Sequence, residues 1–255
     1  MAKLWGQNKG ATVTGQSIYS ESLTATCSLG TRLQLGNRIF HYAKAGASAL
    51  VAGKLCESAA FGGSLSVIEL GLTVPATCPA NGNIVYATAN ATDAVTKDQF
   101  AGGYLYVDSG SAAQGVGQTY KIKGNTAAVA GALITITVDD NLVIAISTSA
   151  TVGIIANLYK NILTQATTPV GVPVGVPLIA VTATYYCWLQ TWGPCCTLYS
   201  GAAGLNKQVI EGPAHAGSVA PQLAGSNSAI APQIGMSLDT VADHKYGLIN
   251  LQIAY

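Results

Sequence analysis

Long amphipathic helix patterns are missing throughout this chain. Short runs of β-favouring residues recur instead, cut off by Gly, Pro and Asn-Gly. That alternation argues for an all-β fold: a sandwich, jelly roll or small barrel of short antiparallel strands. Such folds must protect their edge strands, and closing into a symmetric oligomer is one way to do so.

The clearest strand pair is TRLQLGNRIFHY, Thr31–Tyr42. Leu-x-Leu and Ile-Phe flank Gly36-Asn37, a loop of the kind that closes a hairpin. The loop sets Leu35 opposite Arg38, Leu33 opposite Phe40, Arg32 opposite His41 and Thr31 opposite Tyr42. One face then carries Thr31, Leu33, Leu35, Arg38, Phe40 and Tyr42, while the other carries Arg32, Gln34, Ile39 and His41. The apolar Leu33–Phe40 pair holds this register, contributing roughly 0.2–1 kcal/mol.

Other strands are expected over Ser66–Val74, Ile84–Thr88, the two arms of YLYVDSGSAAQGVGQTYKIKGN, and Tyr246–Tyr255. A second hairpin is expected from Leu133–Val138, a turn at Asp139-Asp140-Asn141, and Leu142–Ser147. Thr96 and Gln99 have capping-box spacing and predict a single helical turn, ended by Gly102-Gly103. In YYCWLQTW, Tyr185–Trp192, both faces are mostly apolar, so this strand should be covered on both sides, and Gly193-Pro194 should stop it. The repeated Val-Gly-Val-Pro of residues 168–178 reads as a stiff crossover, because proline at that frequency does not suit a central strand. The expected organisation is an N-terminal arm over 1–26, a β domain over 27–168, a Pro-rich crossover over 169–180, and a C-terminal β portion over 181–255 packed with the preceding domain.

Composition narrows the function. Charged residues make up only 9% of the chain, against about 25% in ordinary soluble domains. A surface so poor in charge is easiest to understand if partner subunits cover much of it. Net charge is +1 with no basic run, so direct nucleic-acid binding is not expected. The charge-free stretch between Lys160 and Lys207 is broken by Pro169, Pro173, Pro177 and Pro194, so no membrane span is expected. The opening MAKLWGQNKG has no apolar run, so no secretory signal is expected.

The chemistry of sites is equally sparse. Six cysteines fit no spaced framework and read as free buried thiols in a reducing compartment rather than a metal centre. Gly46 to Lys54 has the wrong spacing for a phosphate loop, and Leu55 stands where Ser or Thr would hold the metal. Ser48 lacks the second glycine of a nucleophile elbow. His41, His215 and His244 lie far apart, His215 as an exposed loop residue. Asp243-His244 reads as a solvated turn rather than half of a catalytic dyad. The expectation is no catalytic residue, no metal, no cofactor and no enzyme activity.

Several segments together resemble virion proteins of tailed bacteriophages: Gly30–Leu55, Lys97–Asn125, Asn157–Ile162, Tyr185–Pro194 and the closing GMSLDTVADHKYGLINLQIAY. They run in consistent order over most of the chain, and none is a catalytic motif. The resemblance is to head decoration, or cement, proteins. It implies a β-rich, commonly trimeric protein on the capsid exterior, assembled in the host cytoplasm, with the major capsid protein as partner. The candidate capsid or subunit contacts are Trp5, Ile18 and Tyr19 on the arm, Arg32, Arg38, His41 and Lys44 around the first hairpin, and Trp188 and Trp192. The alternative is a receptor- or glycan-binding module of the virion in which Trp188 and Trp192 stack on sugars. The cysteine pair Cys195-Cys196 and the alanine-rich loop Gly201–Ser228 depart from the pattern.

Overall fold

A computed structural model describes residues 15–59, 68–110, 115–222 and 232–253. All regular structure in them is β; among the described residues there is no helix, and so none able to cross a membrane. The chain forms two compact units, residues 1–59 with 158–255 and residues 60–157. The first segment of unit 1 holds β1 (Arg32–Leu35), β2 (Arg38–Lys44) and β3 (Cys56–Glu57). Unit 2 holds β4 (Ile68–Thr73), β5 (Ile84–Thr88), β6 (Tyr104–Ser109), β7 (Thr119–Asn125), β8 (Leu133–Val138) and β9 (Thr151–Ile155). The chain then returns to unit 1 with β10 (Leu163–Thr164), β11 (Pro173–Pro177), β12 (Tyr186–Tyr199), β13 (Gln208–Glu211), β14 (Ser218–Pro221), β15 (Gln233–Ser237) and β16 (Tyr246–Gln252). This division falls elsewhere than expected: residues 27–168 are shared between units, and 169–180 lies inside unit 1.

Unit 1 is organised by β12. Its first half pairs with β2, from Tyr186 opposite Lys44 to Trp192 opposite Ile39, and its second half with β16, from Trp192 opposite Gln252 to Leu198 opposite Tyr246. Its last residues pair in parallel with β14. The circuit β12-β14-β13-β15-β16 therefore closes on itself as a five-stranded barrel. Leu55, Cys195, Tyr199, Val209, Val219, Ile249 and Leu251 pack in one cluster of this unit. Gly193-Pro194 does not stop β12. The ladder accommodates an extra residue between Gln190 and Trp192, and Gly193 takes φ 87°. Gln190 Nε2 donates to the carbonyls of Trp192 and Pro194 at 3.0 and 2.8 Å. Any side chain at Gly193 would meet the Asn37 carbonyl at 2.5 Å, so the tip of the first hairpin rests on this glycine.

The first hairpin has the expected register, Arg32 opposite His41 through Leu35 opposite Arg38. The Val-Gly-Val-Pro segment is not a linker: it supplies β11, bonded to β3 on one side and β12 on the other. Proline is tolerated because Pro173 and Pro177 are its first and last residues, while Val174 and Val176 fill the core. The N-terminal segment from residue 15 does not project as an arm. It lies against its own chain, with Ser22 bridging to Tyr186 and Ile18 buried beside Phe40, Tyr42 and Trp188.

Unit 2 is a curled six-stranded sheet in the order β4-β9-β6-β7-β8-β5. The second expected hairpin does not form. Both edges of β8 are occupied, by β5 and β7, and residues 142–147 return instead to 78–82. There Leu142 N donates to Gly82 O and Asn81 N to Leu142 O, each at 2.8 Å, and Ile146 bridges to Cys78. The helical turn is also absent. Gln99 Oε1 accepts from Thr96 N at 2.8 Å, as a capping box requires, but Asp98 sits at φ 56° and the segment closes as successive turns.

Candidate interaction surface

The aromatic side chains of β2 and β12 meet beneath residues 15–26. Tyr42 donates its hydroxyl to Gln16 Oε1 at 2.8 Å, and Trp188 Nε1 donates to the Gln16 carbonyl at 3.2 Å. The Tyr42 ring meets Trp188 edge-on at 5.1 Å and stacks on Tyr186 at 5.8 Å. These rings are large hydrophobic bodies whose polar tips find partners when buried. Trp188 is 3% exposed, so its face is not offered to a sugar, and Trp192 is half-buried. Ile18 is buried and Tyr19 exposed. Trp5 lies outside the described residues.

The basic candidates surround this cluster. Arg38 lies over the Phe40 ring and Lys44 over the Tyr186 ring, each at 5.3 Å. Arg32 is exposed and donates to Gln34 Oε1 at 3.2 Å. His41 belongs to the interior. Its ring stacks on Tyr159 at 5.0 Å and its Nδ1 lies 3.0 Å from Thr191 Oγ1. Burial, reinforced by the Arg32 charge, pulls its pKa down to about 4, and burial pushes Tyr159 up to about 12. Sequence spacing brings Arg32 and His41 together; it does not show that β12 covers the histidine.

The fold adds three further arrangements, of which only the last left a signal in the sequence. Glu57 is fully buried, and its carboxylate accepts backbone N–H bonds from Ala166 at 2.9 Å and from Val170 and Gly171 at 3.0 Å. Burial first, and the Glu57 charge second, push the Glu211 carboxyl upward. The fold also joins residues that the sequence separates: the His215 and His244 rings approach to 3.4 Å, with His215 Nε2 3.8 Å from Asp243 Oδ1. His215 is thus partly buried against a ring rather than an exposed loop residue. Asp243 Oδ1 also accepts from Gly201 N at 2.6 Å, which holds its carboxyl below the usual range. Among the described residues no group of three or more His, Cys, Asp or Glu is arranged to hold a metal ion. All six cysteines are free; Cys56, Cys78, Cys187 and Cys195 are buried, Cys27 is partly buried, and Cys196 is exposed.

The third arrangement is the outside of the barrel. Ladder pairing sets Cys195, Thr197, Ile249 and Leu251 on the inner face and Pro194, Cys196, Leu248 and Tyr246 on the outer one. Met236 joins the outer face opposite Asn250, and Leu238 follows at the end of β15, its N–H bonded to the Leu248 carbonyl. Tyr246, Leu248 and Leu238 are 48%, 42% and 43% exposed. The alternation of the last strand carried a signal for this face, since Leu248 falls opposite to Ile249 and Leu251.

No family model and no curated protein matches this chain. Among solved structures it is similar to the N base of the head fiber gp8.5 of bacteriophage phi29. The match has 12% identity, covers 67% of this chain and 96% of that one, and has a TM-score of 0.26. A likeness of that size establishes neither fold nor function.

Proposed function

We propose that this chain is a non-catalytic structural protein of a tailed-phage virion that binds the outside of the head shell and cements neighbouring major capsid subunits. The carrying observation is a surface that leaves large apolar side chains uncovered. Tyr246, Leu248, Leu238 and Leu205 are exposed in unit 1, and Leu70, Tyr104, Leu133, Val129 and Val143 in unit 2. Only 9% of residues are charged. Tyr246, Leu248 and Leu238 stand together on the outer face of the barrel, and a contiguous apolar patch marks a place where a protein meets other proteins. The ordered resemblance of Gly30–Leu55, Lys97–Asn125 and the C-terminal segment to head decoration proteins supplies the partner class. The mechanism is mechanical: each copy buries on the order of 1,000 Å² across a joint, and many copies raise the cost of separating subunits under internal DNA pressure.

The test is virion assembly without this chain, followed by adding it back. Bare heads should bind the purified protein at a fixed copy number and release their DNA at a higher temperature once it is bound. Heads that neither bind it nor gain heat resistance would remove the cementing role.

A further inference from the structure

We propose that the interior of unit 1 holds a divalent cation of the calcium type, bound by the side-chain oxygens of Glu57, Glu211 and Gln165. The inference goes beyond the cementing role and concerns the isolated chain.

Strand pairing brings the three residues together. Leu163 stands opposite Glu57 and Thr164 opposite Cys56; one step further, Gln165 N donates to the Leu55 carbonyl at 3.0 Å. Alternation then sets Gln165, Leu55 and Glu57 on one face of this ladder. Leu55 packs with Val209 and Val219 in the barrel cluster. Glu211 lies two residues beyond Val209 and opposite Val219, so it shares their inward row. Gly217, just before β14, ties the two sides: its N donates to the Gln165 carbonyl at 2.8 Å, and its carbonyl accepts from Leu55 N at 2.7 Å.

These residues lack a counter-charge and a partner. Glu57 and Gln165 are fully buried. Among the described residues, five buried side-chain nitrogen or oxygen atoms make no hydrogen bond, and three of them are Glu211 Oε1 and both polar atoms of Gln165. The ion pair among the described residues is that of His215 with Asp243, so neither glutamate has a basic partner. Buried charges are ordinarily paired or bound to a metal, and an orphaned buried polar group calls for an ion or a water. Glu57 keeps an acceptor position: its Oε2 takes two backbone N–H bonds, but its Oε1 takes only the one from Ala166.

The chemistry of the set chooses the occupant. A proton would neutralise one carboxylate and leave the Gln165 oxygen unpartnered. A water would partner the amide and leave the negative charge in place. A divalent cation answers both. The donors are all oxygen, which favours calcium or magnesium over zinc or copper. Magnesium demands near-ideal octahedral geometry, whereas calcium accepts irregular sets of about six to eight oxygens. Water supplies the remaining positions and enters beside Glu211, the member of the set that is partly exposed. The third member is an amide, so the set lies outside groupings of three or more His, Cys, Asp or Glu.

The experiment is calorimetric titration of the full chain, stripped with EDTA and dialysed, with calcium chloride and in parallel with magnesium chloride. The expected result is one calcium per chain with Kd of about 1 mM or tighter, and much weaker magnesium binding. Melting should rise by about 5 °C at a hundredfold excess over Kd. Glu211→Gln should weaken calcium binding about tenfold or more, and Asp243→Asn, a carboxylate outside the set, should leave it unchanged. Should Glu211→Gln fail to fold, Gln165→Glu, purified in calcium, adds a third carboxylate and should tighten binding about tenfold. Neither heat nor a melting shift up to about 10 mM calcium overturns the proposal. So does calcium binding that Glu211→Gln leaves intact, that Gln165→Glu fails to tighten, or that Asp243→Asn removes.

Discussion

In unit 2, β7 and β8 alternate between exposed or partly exposed and buried residues, whereas in unit 1 β2 is buried without interruption from Ile39 to Ala43. The interiors differ to match. Unit 2 is filled mainly by aliphatic residues such as Leu105, Ile122, Ile134, Ile136, Leu142 and Ile146; unit 1 buries Phe40, Tyr42, Trp188 and Tyr199. Aliphatic packing asks only for volume. The tyrosines and tryptophan of unit 1 also need hydrogen-bond partners, found at Gln16 and, for Tyr199, at Ser237 Oγ 2.9 Å away. Unit 2 meets the same demand at fewer places, on β7: the buried Tyr120 hydroxyl bonds to Gln118 Oε1 and accepts from Val143 N at 3.0 Å, and the buried Asn125 Oδ1 accepts from Phe100 N at 2.9 Å.

Removing a ring is the hardest test of this contrast. Trp188→Ala should cost ~3–5 kcal/mol in urea unfolding followed by the remaining tryptophan fluorescence, and Ile136→Ala ~2–5 kcal/mol by circular dichroism. Trp188→Phe, which keeps the bulk and orphans the Gln16 carbonyl, should still cost ~1 kcal/mol or more. A neutral Trp188→Phe would mean that the polar handles do not matter. Next in size, Glu57→Gln should cost ~2–3 kcal/mol, because an amide cannot accept all three backbone N–H bonds that the carboxylate now takes. Loss of protease resistance around residues 166–171 would locate the damage.

The pH dependence sharpens the comparison further. Folded His41 stays neutral down to about pH 4, whereas an unfolded imidazole takes up its proton near ~6.5. Between those values the unfolded chain binds the extra proton, so stability falls as pH drops through the window. After allowance for residual solvent screening, His41→Gln should remove ~2 kcal/mol of that fall. The raised Glu211 carboxyl acts with opposite sign above the usual glutamate pKa, favouring the fold as pH drops. The wild-type minus variant difference therefore isolates the histidine, and identical slopes would place its ring in water. The smallest effect is expected at Gly36, φ 63° with open space around it: Gly36→Ala should cost ~1 kcal/mol from backbone strain alone.

Where local alternation and turn chemistry act together, the sequence discloses the fold. Gly36-Asn37 defines the first hairpin register, Ile84–Thr88 matches β5 at both ends, and the last strand shows both its core and its outward rows. Expectations fail where a distant partner overrides a local signal. Pro173 and Pro177 look like linker residues until β3 is seen to pair at Pro173 and Gly175 and β12 at Val176 and Pro177, with the prolines at the two ends of the strand. Leu142–Ser147 has the composition of a hairpin arm, but β5 and β7 have already filled the ladder of β8. Of the candidate contacts, the sequence marks Trp188 as aromatic but cannot show Gln16 capping it, and Glu57 has no neighbouring motif at all.

The length of β12 has a consequence for synthesis. The edge of β2, which ends at Lys44, waits for the first half of β12, and the second half of β12 waits for β16, which begins at Tyr246. The barrel therefore cannot close until β16 has left the ribosome, and the β2–β12 pairing, from Tyr186 opposite Lys44 to Trp192 opposite Ile39, carries a large loop-closure penalty. Unit 2 is contiguous, so its strands are all available while the closing strand of unit 1 is still untranslated.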